Sequence, residues 1–240
     1  MVRDNRLRIV VVFVAGCGSK DGSTGDASNV ENFHDTAGTS DSADTDEDSQ
    51  FETCALDGAW LIGCWGDDQD QQVSSTPTDT GYTALSTGSG HTCAIDAGGG
   101  IRCWGNDDHN QVSDTPSGDG YTAIDAGDAG DAGDAGDAHN CALDAAGSIV
   151  CWGLDDGGLV SNPPQANYFD LGAGYNHSCV LDGVGLITCW GHDNYSESSA
   201  APEAKDYQSL AVGRYYACAI DVADQVGCWG IDTQGQSSPP

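Results

Sequence analysis

The residues with chemistry to offer are eleven cysteines, two repeating sets of aspartates and three spaced histidines. Ten cysteines fall in five pairs of one spacing, a cysteine followed ten residues later by Cys-Trp-Gly: Cys54 with Cys64, Cys93 with Cys103, Cys141 with Cys151, Cys179 with Cys189, and Cys218 with Cys228. Residues 179–189 read as two short strands around an Asp/Gly turn, which sets the two cysteines opposite each other on one face. A cross-strand disulfide is then expected within each hairpin wherever thiols are oxidised. Cys17 is left over.

The acids repeat in step with the cysteines. Asp57, Asp96, Asp144, Asp182 and Asp221 each open a hairpin turn, where an aspartate side chain caps backbone N–H groups, and a structural role is expected for them. Asp68, Asp107, Asp155, Asp193 and Asp232 each follow a Trp-Gly by two residues, in a polar loop. Related by rotation, five such carboxylates make an acidic ring that attracts a basic partner or holds Ca²⁺ weakly, although each also suits an Asx turn. They are the candidate binding residues. His91, His139 and His177 stand two before a first cysteine; zinc would need them within about 4 Å of one ion, and residues of separate modules read instead as hydrogen-bonded scaffold. Asp128, Asp131, Asp134 and Asp137 lie three apart in an Ala-Gly-Asp run that reads as tandem expansion of a loop. No nucleophile elbow, phosphate loop or Cys-x-x-Cys zinc site is visible, so no catalytic residue, metal or cofactor is assigned beyond weak Ca²⁺ binding.

These residues need a repeating scaffold. The second cysteines of successive hairpins are 39, 48, 38 and 39 residues apart, and the long interval contains the insertion at 126–138. Four hairpins are preceded by an aromatic, an aliphatic and a glycine at threes, as in Tyr82, Leu85 and Gly88 or Tyr168, Leu171 and Gly174. A module of about 39 residues with three or four short strands is the size of one propeller blade. The fold class is therefore all-β, a β-propeller-like array of five modules over residues 51–240. Residues 51–53 are too few and too polar to give the first hairpin a leading strand, so an incomplete ring is expected, with the first module least stable. The tryptophans after the second cysteines are expected between blades, and Trp60, alone in a turn, is the one expected to be exposed.

Gly88 to Gly105 and Gly174 to Gly191, with a Gly-x-x-His-x-Cys core followed by Cys-Trp-Gly, resemble the repeats of the regulator of chromosome condensation family in its short, cysteine-containing bacterial secreted form. The resemblance covers residues 51–240 and implies a propeller, seven-bladed in typical members. The Asn-x-x-Gly-Gln that follows Trp-Gly in the family survives partly as Gln72, Gln111 and Gly235-Gln236 and is lost after Asp155 and Asp193. The chromatin binding and nucleotide exchange of nuclear members do not transfer, because a basic surface is missing. Inhibitors of secreted enzymes are the nearer analogy among bacterial propellers.

The ends and the charge set the setting. Arg3, Arg6 and Arg8, an apolar run from Ile9 and Val14-Ala15-Gly16-Cys17 read as a lipoprotein signal over 1–17, with Cys17 lipidated. Residues 18–50 hold nine acids against one lysine and almost nothing apolar, an expected disordered tether. The net charge of −31 repels nucleic acid and anionic lipid, leaving a macromolecular partner with a basic surface, and contact with membrane through the lipid anchor alone. The function expected is non-catalytic binding at the cell envelope, facing periplasm or exterior. The alternatives are an inhibitor of a secreted enzyme or a calcium-dependent hydrolase.

Overall fold

The computed structural model describes residues 52–88, 90–127, 138–204 and 206–239. Cys17, the 18–50 tether and most of the 126–138 insertion lie outside these residues. The first module is a two-stranded hairpin, β1 (Glu52–Leu56) and β2 (Ile62–Gly66). Each later module is a three-stranded antiparallel sheet. These are β3 (Tyr82–Thr87), β4 (His91–Asp96) and β5 (Ile101–Gly105), then β6 (Tyr121–Ala126), β7 (His139–Asp144) and β8 (Ile149–Gly153). The fourth comprises β9 (Tyr168–Ala173), β10 (His177–Asp182) and β11 (Ile187–Gly191), and the fifth β12 (Tyr207–Val212), β13 (Tyr216–Asp221) and β14 (Val226–Gly230).

Each hairpin is set by its turn and its cysteines. The Oδ1 of Asp96 accepts the amides of Gly98 at 2.7 Å and Gly100 at 3.0 Å, and Asp57, Asp144, Asp182 and Asp221 repeat the pattern. That register puts each pair of cysteines directly opposite, with Cα atoms 4.0–4.1 Å apart, and all five pairs are disulfide-bonded. The glycine of each Cys-Trp-Gly takes φ between 100° and 113°, a left-handed turn that a side chain disfavours, and swings the chain into the polar loop.

Modules stack through a repeated junction. The middle strand of one packs on the leading strand of the next, β4 on β6, β7 on β9 and β10 on β12, while successive leading strands neighbour one another. The forward face of the first hairpin, Cys54, Leu56 and Ile62, meets Tyr82, Leu85, Ala94 and Trp104 of the second module in one apolar cluster. At each junction the indole N–H of the later module donates to a loop carbonyl of the earlier: Trp104 to Gln72, Trp152 to Gln111, Trp190 to Leu159 and Trp229 to Glu197, at 2.9–3.0 Å. Gly88, Gly127 and Gly174 each approach the carbonyl of the next module's equivalent glycine so closely that a Cβ would lie 2.4–2.8 Å from it. Among the described residues no comparable packing joins the first hairpin to the last sheet.

The exposure of tryptophans differs from the sequence expectation. Trp60 is half-exposed, but so is Trp65, at 53 %. The reason is the direction of the junction: a repeat tryptophan is covered by the module before it, and Trp65 belongs to the first.

Candidate functional site

The repeated acids serve the loops. Asp68 Oδ1 accepts the amides of Val73 and Ser74, Asp107 those of Val112 and Ser113, Asp155 those of Val160 and Ser161, and Asp193 those of Ser198 and Ser199, all at 2.8–3.0 Å. Asp232 accepts from the Ser237 amide at 2.9 Å and the Ser238 hydroxyl at 2.6 Å. The amides of Ser74, Ser161 and Ser199 hold Asp68, Asp155 and Asp193 below the usual carboxylate range, as the Ser238 hydroxyl does Asp232. At Asp107 burial pulls the other way, and the amides of Ser113 and Val112 prevail. Each Asp lies in its own module, and among the described residues no three His, Cys, Asp or Glu side chains are grouped around a metal position.

The histidines link modules. His91 Nε2 meets Asn140 Oδ1 of the next module at 2.7 Å, and His139 Nε2 meets Ser178 Oγ at 2.7 Å. Glu52 takes the same place in the first module and accepts from the Thr92 hydroxyl at 3.3 Å. Burial lowers His91 and takes His177 down to about 4, so both are neutral at pH 7. Burial pushes Glu52 up to about 7 and Asp125 up to about 6. Asp125 joins three modules, accepting from the Ser86 hydroxyl at 2.7 Å and the Ala173 amide at 2.9 Å.

Against this regularity one junction stands apart, between the fourth and fifth modules, on the face where the polar loops emerge. The loop ahead of the middle strand reads Gly88-Ser89-Gly90 in the second module but Gly174-Tyr175-Asn176 and Gly213-Arg214-Tyr215 in the fourth and fifth. The Arg214 guanidinium carbon lies 5.0 Å from the ring centre of Tyr175 and 5.2 Å from that of Tyr215, within cation–π range. Tyr215 packs edge-on to Tyr175 at 5.2 Å and to Tyr195 at 5.3 Å, and Tyr195, from the fourth polar loop, is 47 % exposed.

Buried polar atoms without partners collect beneath it. His177 has neither ring nitrogen bonded, and Nε2 lacks a partner because the fifth module carries Ala217 where Ser178 and Asn140 serve the Nε2 of the earlier histidines. Asn176 Oδ1 is also unpaired. Glu197 occupies the place of Gln72 and Gln111, whose amides donate to Asp67 and Asn106 at 2.9 and 2.7 Å; it lacks that amide NH2, and its Oε1 is unpaired. The glutamine position of the third loop is filled by Leu159. Sequence reasoning singled out the repeated residues and missed this cluster, whose signal was departure from the repeat: aromatic and charged residues where the second module has Ser89 and Gly90.

With this geometry, comparison with known proteins is direct. Residues 82–111 match the Regulator of chromosome condensation (RCC1) repeat. The match spans the second module, from the start of β3 into the loop after β5. The ectodomain of the Physcomitrella patens receptor kinase CR4 superposes with a TM-score of 0.64 and 26 % identity, over 76 % of this chain and 50 % of that one. The CRINKLY WD40 ectodomain of the Arabidopsis thaliana receptor kinase ACR4 gives 0.62 and 23 %, over 75 % and 62 %. Yeast RCC1 (Prp20), solved bound to Kap60, gives 0.60 and 18 %, over 76 % and 55 %. The chain thus spans half to about three fifths of the length of these structures. No curated protein sequence matches it.

Proposed function

We propose that this chain is a non-catalytic interaction protein, carried at the cell envelope by a lipid on Cys17, whose RCC1-type repeat domain binds a protein with a basic surface. The observation that carries the reading is the contrast between two sets of residues. The repeated aspartates do the same backbone work in each module, as scaffold residues do, whereas Tyr175, Tyr195, Arg214 and Tyr215 cluster at one junction and break the repeat. Tyrosine and arginine at a partly exposed centre are the residue types that dominate protein interfaces. The loop carboxylates keep their charge around that centre and favour a cationic partner. Five disulfides suit an oxidising compartment.

Affinity capture from envelope extracts with the full chain tests this. A saturable protein partner is expected, lost with Tyr195→Ser and Tyr215→Ser and weakened by salt. Absence of any saturable partner, or capture indifferent to both substitutions, overturns the binding site. Fractionation of Cys17→Ser tests the anchor separately: the variant is expected to leave the membrane fraction, and its retention there overturns lipidation.

A further inference from the structure

The same junction departs from the repeat at its opposite end, where the hairpin turns lie. Phe169, Val184 and Val222 are 52, 63 and 70 % exposed, and with Asp206, Tyr207 and Gln208 they line an open groove of about 390 Å³. Elsewhere these places are small or self-satisfied. The equivalents of Phe169 are Thr83 and Thr122, whose hydroxyls donate to the carbonyls of Ile95 and Leu143 at 3.2 and 3.3 Å. Val184 replaces Gly98 and Ala146, and Val222 replaces Ala97 and Ala145. Three large apolar side chains have therefore been added to a turn surface that folds without them.

The rim is acidic. Asp206 lies in the wall, Asp182 and Asp221 open the two turns, and Asp224 accepts from the Gln208 amide at 3.2 Å. Burial first, then the charges of Asp206 and Asp221, hold the Tyr207 hydroxyl above its ordinary range, a sign that the groove sits in negative potential. No cation lies on this rim among the described residues; Lys205 is outside them. Anionic lipid, nucleic acid and a second copy of a chain of net charge −31 are all repelled from such a surface.

We infer that this groove docks a protein segment presenting an apolar side chain flanked by lysine or arginine. The apolar residue covers Phe169, Val184 and Val222, and the flanking cations meet the four carboxylates at contact distances, where salt screens least. The site is separate from the tyrosine cluster, so each stands or falls alone.

The test is fluorescence anisotropy with the full chain and a labelled peptide of two leucines between pairs of lysines. Saturable binding is expected, weakened about tenfold or more by serines in place of the leucines or glutamates in place of the lysines, a difference of about 1.4 kcal/mol in each case. The variant Phe169→Thr/Val184→Ala/Val222→Ala, which takes residues of the second and third modules, should lose the peptide. Asp206→Asn, which leaves the apolar wall intact, should weaken it and flatten its salt dependence. Tyr195→Ser should not affect it. Equal binding of the serine peptide, or undiminished binding by the triple variant, overturns the proposal. So does a finding that the wild type dimerises or binds anionic phosphatidylglycerol vesicles through these three side chains.

Discussion

His177 is buried with both ring nitrogens unpaired, Nε2 because one atom is missing from its neighbour. A hydroxyl at Ala217, the place of Ser178 in the preceding junction, would give Nε2 the partner that His139 has at 2.7 Å. Ala217→Ser is expected to raise stability by about 1 kcal/mol, read as a higher urea midpoint at unchanged slope; an unchanged or lower midpoint contradicts it. Glu52 poses the opposite case. Burial raises its carboxyl from 4.5 to about 7, so the folded state binds more protons than the unfolded between those values. Its contribution to stability is therefore full below about pH 4.5 and is lost as pH rises through 7. Histidine there would behave like its sister His91, whose pKa burial lowers, and would lose stability as pH falls below 6.5. Glu52→His should be more stable than wild type at pH 8, by about 1–3 kcal/mol, and less stable at pH 5. Denaturation curves that do not cross between those pH values refute this.

At the scale of the element, what joins modules is the tryptophan that reaches back to a loop carbonyl. Trp104→Phe keeps most of the packing and leaves the Gln72 carbonyl without its donor, so a loss of about 1–2 kcal/mol is expected. Trp65→Phe, on the uncovered first hairpin, should cost under about 0.5 kcal/mol. Equal costs at the two sites would mean that the indole hydrogen bond does not hold the junction. The hairpin itself was legible in the chain: Asp, turn and cysteine spacing are local, and the register they impose is the one observed. The direction of the junction was not legible, since nothing local says whether a tryptophan is covered by the module before or after it. That is why the exposure of Trp65 was missed.

For the whole molecule the stack has two unlike ends. The first hairpin has no leading strand among the described residues, and its backward face carries the exposed Trp65. The third module is packed on both sides, with Cys141, Ala142 and Leu143 at or below 1 % exposure. Hydrogen exchange should therefore find β1 and β2 opening well below the free energy that opens β7, by about 2 kcal/mol or more, a factor of about thirty in protection. Equal protection would mean that the arc opens as one unit or that the first hairpin is covered in solution.

By itself the sequence determined the all-β class, the five modules, the hairpin register and the five aspartate turns, because each follows from contacts within about ten residues or from a period repeated along the chain. Only the tertiary structure decided which residues meet across modules. It paired His91 with Asn140 and left His177 facing Ala217; it set Arg214 between Tyr175 and Tyr215, and grouped Phe169, Val184 and Val222 around one groove. Tyr175 and Arg214, and Val184 and Val222, lie 39 and 38 positions apart, and these four residues break the repeat rather than obey it, so no periodicity announces them. Stacking brings the exceptions together, since equivalent positions of adjacent modules become neighbours in space whatever residues occupy them.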